Sequence, residues 1–260
     1  MKTVVLIKQV PAADTRIEFA VDGVTIEEDA INWVMNPYDE YALEEALHIR
    51  ESHGGTVTVL SVGPERVKTG LQTALAMGAD QAIHVTAPQH SLQSGLDLVR
   101  VICKTLKEIP YDLIIAGAHS LENQGRQIGV MAAELLDIPC IPMVVHQEIK
   151  GRLIKCQRLM EEGSITLQAV LPILFTAQRG LNEPRFVTFA NVRKARKKLI
   201  ISKTIGKDVD WLGKDSGIQI VRLRSQATDR LCEIISGNSP KEKVTKLVDC
   251  LSRTGRLGGV

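Results

Sequence analysis

DLIIAGAHSLENQGRQIG, running from Asp112 to Gly129, is the stretch on which the fold turns. Leu113-Ile114-Ile115-Ala116 is short and wholly apolar, the mark of a strand buried on both faces of a sheet. Gly117 ends the run, and a polar loop with His119, Ser120, Glu122 and Asn123 follows. From about Gln124 the apolar residues recur at helical spacing, through Ile128, Met131, Ala132, Leu135 and Leu136. In a parallel sheet such a loop lies at the carboxyl end of its strand, where ligands bind. The free N–H groups opening the helix suit a phosphate. An ordinary strand-to-helix connection whose glycines only permit close packing accounts for the same residues.

Upstream, the pattern repeats. Thr3–Ile7 reads as a first buried strand, followed by Lys8-Gln9-Val10-Pro11 and a polar excursion to about Glu28. Asp22-Gly23 looks like a hairpin turn between Ile17–Val21 and Val24–Ile26. Asn36 is placed to cap a helix, with Pro37 at its first position and Asp39 and Glu40 at the positive end of its dipole. That helix is expected to reach about Ser52, bury Tyr38, Ala42, Leu43, Ala46 and Leu47, and end at Gly54-Gly55. Thr56–Ser61 is a second main strand, Glu65–Met77 a helix, Ala82–Val85 a short strand and Leu92–Lys107 another helix. Such alternation implies an α/β fold: a doubly wound, mostly parallel sheet of the Rossmann-like, adenine-nucleotide-binding type.

Downstream of Pro139 the grammar changes. Arg152–Met160 and Ser164–Val170, joined by Glu161-Glu162-Gly163, read as a small antiparallel hairpin, and Ile173–Thr176 as an apolar run. Arg179–Arg185 sets Leu181 in a polar, proline-stiffened loop, and Arg193–Lys198 packs five basic residues into six. Past residue 200 the alternation fades until a helix at Pro240–Leu251, with Val244, Leu247, Val248 and Leu251 on one face. The expected division is a nucleotide-binding domain over residues 1–200 and a C-terminal arm over 201–260 that leans on another subunit.

Composition narrows the function. A 44% apolar and 24% charged chain is ordinary for a globular protein, and a net charge of +2 from 32 basic and 30 acidic residues argues against a dedicated nucleic-acid binder. Cysteines 103, 140, 156, 232 and 250 stand alone, which fits reduced thiols and a cytoplasmic setting. No run of about 18 apolar residues exists to span a membrane. Neither C-x₂-C nor H-x₃-H spacing occurs, so no metal site is expected, and no G-x-S-x-G elbow marks a nucleophile. His119 and Ser120 read as loop hydrogen bonders. Neither G-x-x-x-x-G-K-[ST] nor a glycine loop after the first strand is present, so a nucleotide at Gly117–Ile128 is more readily held than cleaved. Asn36–Asp39 either receives the base or ribose or is only a helix cap. The basic run reads as a solvated helix face, or as a contact for nucleic acid or an acidic partner. Leu181 invites a docking role, because an exposed apolar anchor tends to be an interaction feature.

Taken together these segments resemble the beta subunit of electron transfer flavoprotein. The resemblance spans most of residues 1–200. It rests on Val5-Leu6-Ile7-Lys8-Gln9-Val10-Pro11, Met35-Asn36-Pro37-Tyr38-Asp39-Glu40, Thr73–Asp80, Asp112–Gly129, and Leu181-Asn182-Glu183-Pro184-Arg185 followed by Lys194–Lys198. It implies an electron carrier subunit, not a stand-alone enzyme, with no catalytic residue of its own. The implied partner is an alpha subunit that holds most of the redox FAD. A structural AMP is implied at Leu6, Asn36, Pro37, Tyr38, Asp39, Val62 and the loop Gly117-Ala118-His119-Ser120-Leu121-Glu122-Asn123-Gln124-Gly125-Arg126-Gln127-Ile128. The family's docking loop matches Leu181, Asn182, Glu183, Pro184 and Arg185, which would meet an acyl-CoA-type dehydrogenase with Leu181 as anchor. Electrons would then pass to a quinone-reducing or other downstream acceptor. A flavin does the redox chemistry in such a carrier, while protein supplies position and electrostatics.

The resemblance also carries an alternative. Electron-bifurcating, NADH-oxidising relatives hold a second FAD in place of AMP and show an acidic stretch before Q-V-G. Here Gln127-Ile128-Gly129 is similar, but Glu122–Arg126 lacks that acidic pattern, and Arg126 adds a charge able to meet a phosphate. The tail from Ile220 to Leu251 looks closer to the bifurcating members. A nucleotide-sensing module of the stress-protein kind is a third reading, which a colourless homodimer would support.

Overall fold

The computed structural model describes residues 1–86, 95–121, 125–205, 221–224 and 232–254. It opens with β1 (Lys2–Leu6), a short antiparallel pair β2 (Gln9–Pro11) and β3 (Trp33–Met35), then α1 (Pro37–His53) and β4 (Thr56–Val62). A 3₁₀ turn at Glu65–Val67 leads into α2 (Lys68–Met77), β5 (Gln81–Thr86), α3 (Gly95–Leu106), β6 (Leu113–Gly117) and α4 (Ile128–Leu136). Then come β7 (Cys140–Lys150), β8 (Leu153–Met160), β9 (Gly163–Val170), β10 (Ile173–Ala177), α5 (Phe189–Ala195) and β11 (Ile200–Thr204). The second unit, Leu223–Val260, contains α6 (Pro240–Arg253).

One nine-stranded sheet has the order β11-β5-β4-β1-β6-β10-β7-β8-β9. All its neighbours from β11 to β7 run parallel, and β8 and β9 extend it antiparallel. The doubly wound α/β architecture with an antiparallel hairpin is therefore the one expected. Strand alternation explains why its runs are apolar throughout. Val5, Leu113 and Ile115 face a core with Leu43, Leu47, Leu71 and Leu75 of α1 and α2. Val4, Leu6, Ile114 and Ala116 face the opposite core, with Val99, Ile102, Ala132 and Ala133 of α3 and α4. Each fully buried leucine or isoleucine removes enough apolar surface from water to contribute about 1.5–3 kcal/mol.

Several local expectations change. The helix after β6 starts at Ile128, since Gly125–Gln127 is non-helical, while Glu122–Gln124 lies outside the described residues. Of the expected helix Leu92–Lys107, Gly95–Leu106 is observed, and residues 87–94 lie outside the described residues. The Asp22-Gly23 turn forms, with Asp22 Oδ1 accepting from Val24 and Thr25 N–H at 2.9 Å, but its flanks meet in a single bridge, Phe19 to Ile26. Tyr38 is only half-buried. The short pair β2 and β3 was not foreseen, nor were two strands of the main sheet. β7 carries Pro142 and a polar His146-Gln147-Glu148 stretch because it is half-exposed, and β11 adds to the sheet edge beside β5.

In the second unit, Ser239 caps α6 by accepting from Glu242 N–H at 3.2 Å, and Glu242 reaches back to Asn238 N–H at 2.9 Å. No residue of this helix is buried, and Val244, Leu247 and Val248 stay exposed.

Candidate nucleotide cleft and its surroundings

The chain leaves β1 toward β4 and β5 on one side, then crosses to β6 on the other. The carboxyl ends of β1 and β6 therefore form a topological switch point, where a crevice opens in this architecture. The crevice here has a cavity volume of about 90 Å³ and opens to solvent. Ile7, Lys8, Leu60, Val62 and Gly117 come from strand ends, Leu98 and Ile102 from α3, and Ser120, Gly125, Arg126 and Ile128 from the loop and α4.

Asp39 braces this switch point. Its Oδ2 accepts from Lys8 N–H at 2.7 Å, just past β1, and its Oδ1 accepts from Gly117 N–H at 3.1 Å, at the end of β6. Burial pushes the Asp39 carboxyl up to about 7, against the hydrogen bonds from Asn36, Lys8 and Gly117 and the charge of Lys8, which all favour the anion. Asn36 occupies the cap position of α1, yet its side chain makes no cap bond. Instead its Nδ2 donates to Asp39 Oδ1 at 3.0 Å and to His119 O at 2.9 Å, and its Oδ1 accepts from Leu121 N–H at 3.3 Å. So Met35–Asp39 belongs with the loop, and Asn36 ties the loop down as well as starting a helix.

Gly117 is glycine for a steric reason. A Cβ there would lie 2.2 Å from Asp39 Oδ1 and 2.8 Å from Tyr38 Cβ. Gly129 is similar: its Cβ would lie 2.7 Å from Thr176 Cγ2, so its absence lets α4 sit close on β10. Close packing thus accounts for both glycines.

The His119 ring lies over Tyr38, centroids 3.7 Å apart and tilted 43°. Burial, then the neighbouring Arg126 charge, lowers the His119 pKa, so the imidazole is neutral near pH 7. Ser120 Oγ is buried and has no hydrogen-bond partner among the described residues. Gln127 precedes α4 without a side-chain cap bond, and Ile128 and Gly129 of its first turn line the crevice with Ser120, Gly125 and Arg126. Arg126 is exposed, with Nη1 4.0 Å from Met143 Sδ. An orphaned hydroxyl, helix N–H groups and a guanidinium on one wall fit a phosphate, and the aliphatic opposite wall fits a base or ring.

Of the expected site residues, Leu6, Asn36, Asp39, Val62, Gly117, His119, Ser120, Gly125, Arg126 and Ile128 line this crevice together. Pro37 and Tyr38 form the adjoining first turn of α1, Ala118 is buried with its N–H on Ala177 O at 2.9 Å, and Leu121 and Gln127 are exposed. Sequence reasoning missed Lys8, Leu60, Leu98, Ile102 and Gly129. For Lys8, its position just past the first apolar strand was the available signal. Among the described residues no group of three or more His, Cys, Asp or Glu is placed to hold a metal ion, and no helix is long and apolar enough to cross a membrane.

The second candidate surface differs more from expectation. Leu181 is half-buried and packs on the core beneath α1, and Asn182, Pro184 and Arg185 are also partly buried. Five and eight residues beyond Leu181, Phe186 and Phe189 are each 97% exposed. Beside Phe189 runs a groove lined by Thr69 and Thr73 of α2 and Val192 and Arg196 of the α5 segment, flanked by exposed Arg193, Lys194 and Lys197.

A family model described as "Electron transfer flavoprotein domain" matches residues 23–205. The chain belongs to the electron transfer flavoprotein beta-subunit family. The beta subunit of Thermoanaerobacterium thermosaccharolyticum is 35% identical over 259 residues, which cover 97% of this chain and 98% of that protein. That of Bacillus subtilis is 38% identical over 191 residues (71% and 72%), and that of Mus musculus 33% over 224 residues (85% and 88%). The family-model match takes in the loop after β6 and the segment bearing Phe186 and Phe189.

Proposed function

We propose that this beta subunit pairs with an alpha subunit as an electron carrier and holds a structural AMP at the switch-point crevice. One observation carries the AMP reading. The wall where Ser120 Oγ is buried without a partner among the described residues is also the wall where α4 begins and Arg126 stands. A phosphate there would take the Ser120 hydroxyl, the helix N–H groups and the Arg126 charge, while Leu6, Val62 and Ile102 would enclose the base and sugar. Among the described residues of the crevice, none is arranged to activate a nucleophile toward a phosphate bond. Holding is thus the expected outcome, with the buried bridge of Asn36 and Asp39 stiffened by the ligand.

FAD, held mainly by the alpha subunit, supplies the electron-carrying chemistry. The exposed apolar face of α6 supports a C-terminal arm that packs on the alpha subunit. An acyl-CoA-type dehydrogenase is the proposed donor and a quinone-reducing enzyme the proposed acceptor. The donor docks on the segment from Leu181 through Phe189. Phe186 and Phe189 supply the apolar contact, and Arg193, Lys194 and Lys197 attract an acidic rim. A small apolar anchor with electrostatic attraction suits a carrier that must meet and leave its partners quickly.

The test is a cofactor count on the purified heterodimer after acid extraction. One FAD and one AMP per heterodimer is the expected result. Two flavins, no AMP and reduction by NADH would overturn the AMP reading in favour of the electron-bifurcating alternative.

A further inference from the structure

Asn182 and Arg185 do not present themselves to a partner; they grip α1. Glu44, His48 and Glu51 are spaced i, i+4 and i+7, which stacks them in one column on the helix. Arg185 lies along that column. Its backbone N–H donates to Glu44 Oε2 at 3.0 Å, its Nε and Nη2 to Glu44 Oε1 at 3.0 and 2.8 Å, and its Nη1 to Glu51 Oε1 at 2.8 Å. His48 Nε2 lies 2.9 Å from the same Glu44 oxygen. One residue along the helix, Glu45 Oε2 accepts from Asn182 Nδ2 at 2.9 Å while Glu45 Oε1 accepts from Gln147 Nε2 at 2.8 Å. Asn182 Nδ2 also donates to Tyr41 O at 3.0 Å. Both helix carboxylates are buried, with Glu44 only 2% exposed. The next residues in the chain are Phe186, fully exposed, then Val187 on the core, Thr188 capping α5, and Phe189, again fully exposed.

We propose, on the reading that the Leu181–Phe189 segment meets the electron donor, that Glu44 is the positioning residue of that surface. Its carboxylate sits under the loop and cannot itself touch a partner. It acts through Arg185, whose guanidinium fork fits a carboxylate with two parallel bonds and fixes the direction in which the chain leaves toward Phe186. A charged pair this well hydrogen-bonded is short and directional, so the loop is ordered before the donor arrives. Preorganisation of that kind spares the encounter the cost of freezing the loop and its two phenylalanines. Glu45 and Asn182 hold the other end of the loop in the same way. The polar residues of the LNEPR segment thus serve to aim the aromatic residues that follow it.

The experiment uses the intact alpha–beta heterodimer carrying Glu44→Gln, Arg185→Lys or Phe189→Ala. An acyl-CoA dehydrogenase with its acyl-CoA substrate is the electron source, and heterodimer concentration is varied to separate KM from kcat. Amide exchange of peptides covering 181–189 is followed in parallel. Glu44→Gln keeps the shape but removes the charge and one prong. It should leave flavin content and kcat unchanged, speed exchange across 181–189, and raise KM by about tenfold. Phe189→Ala should raise KM without changing exchange. If Glu44→Gln speeds exchange and KM stays at the parent value while Phe189→Ala raises it, positioning by Glu44 is refuted and docking stands. If Phe189→Ala leaves KM unchanged, the docking reading itself fails. Should Glu44→Gln prevent assembly, Arg185→Lys, which keeps the charge and loses the fork, decides by the same two readouts.

Discussion

Replacing Gly117 with alanine tests how tightly the crevice is built. The new Cβ would meet Asp39 Oδ1 at 2.2 Å, Tyr38 Cβ at 2.8 Å and the Tyr38 carbonyl carbon at 2.9 Å. Two of these atoms belong to the first turn of α1 and cannot swing aside like the tip of a long side chain. The third accepts from Gly117 and Asn36, and the other oxygen of the same carboxyl accepts from Lys8. Relief therefore requires the start of α1 to move off β6. Overpacking of this kind costs about 1–3 kcal/mol. The move also breaks the bond from Gly117 N–H to Asp39, worth about 0.5–1.5 kcal/mol with the carboxyl protonated and about 1.5–3 kcal/mol with it ionised. A total near 4 kcal/mol corresponds to roughly 10 °C in melting temperature for a unit of this size. The assay is thermal unfolding of the heterodimer followed by circular dichroism, with the AMP content of the same preparation measured alongside. Gly151→Ala is the control, because Gly151 has a positive φ of 61° and nothing within 4 Å of its Cβ position. It should pay only a backbone penalty of about 1–2 kcal/mol. A Gly117→Ala heterodimer that melts within 2 °C of the parent, with AMP retained, would refute the claim that α1 and β6 are in obligatory contact here; that margin is about 1 kcal/mol.

Other expected outcomes follow from the same geometry. Because Asp39 has a folded-state pKa raised to about 7, the native state holds a proton that the unfolded chain releases near 4. Its contribution therefore favours folding at low pH and is lost as pH rises from about 4 to about 7, by up to about 1.4 kcal/mol per pH unit. Asp39→Asn should flatten the melting temperature between pH 5 and pH 8 relative to the parent, and an unchanged slope would contradict the assignment. Ser120→Ala and Arg126→Gln should each weaken AMP by about tenfold or more in calorimetric titration of the stripped heterodimer, with stronger salt dependence lost only for the arginine variant. Equal affinity in both variants would move the phosphate elsewhere. Phe186→Ala combined with Phe189→Ala should slow reduction by the dehydrogenase at least tenfold while leaving melting unchanged, since two fully exposed side chains contribute no core packing.

The sequence by itself determined the layer architecture. Apolar runs such as Val4-Val5-Leu6 and Leu113–Ala116 can be buried only if both faces of the sheet are covered, and the helices between them supply the cover. It also marked Asp112–Gly129 as a candidate ligand loop, because a polar segment between a buried strand and a helix lies at the carboxyl end of a parallel sheet. The tertiary structure decided which described residues of that loop meet at the crevice. Asn36 and Asp39 are far from Gly117 in sequence, and only the β1–β6 crossover brings the carboxylate onto both Lys8 and Gly117. The same limit applied to LNEPR. Leu181 looked like an anchor beside polar residues, but Glu44 and Glu45 sit about 140 positions earlier, and their buried carboxylates draw Asn182 and Arg185 inward. Local pattern reports which residues are apolar. Which of them face water depends on long-range pairing of charges, which a single chain of letters does not display.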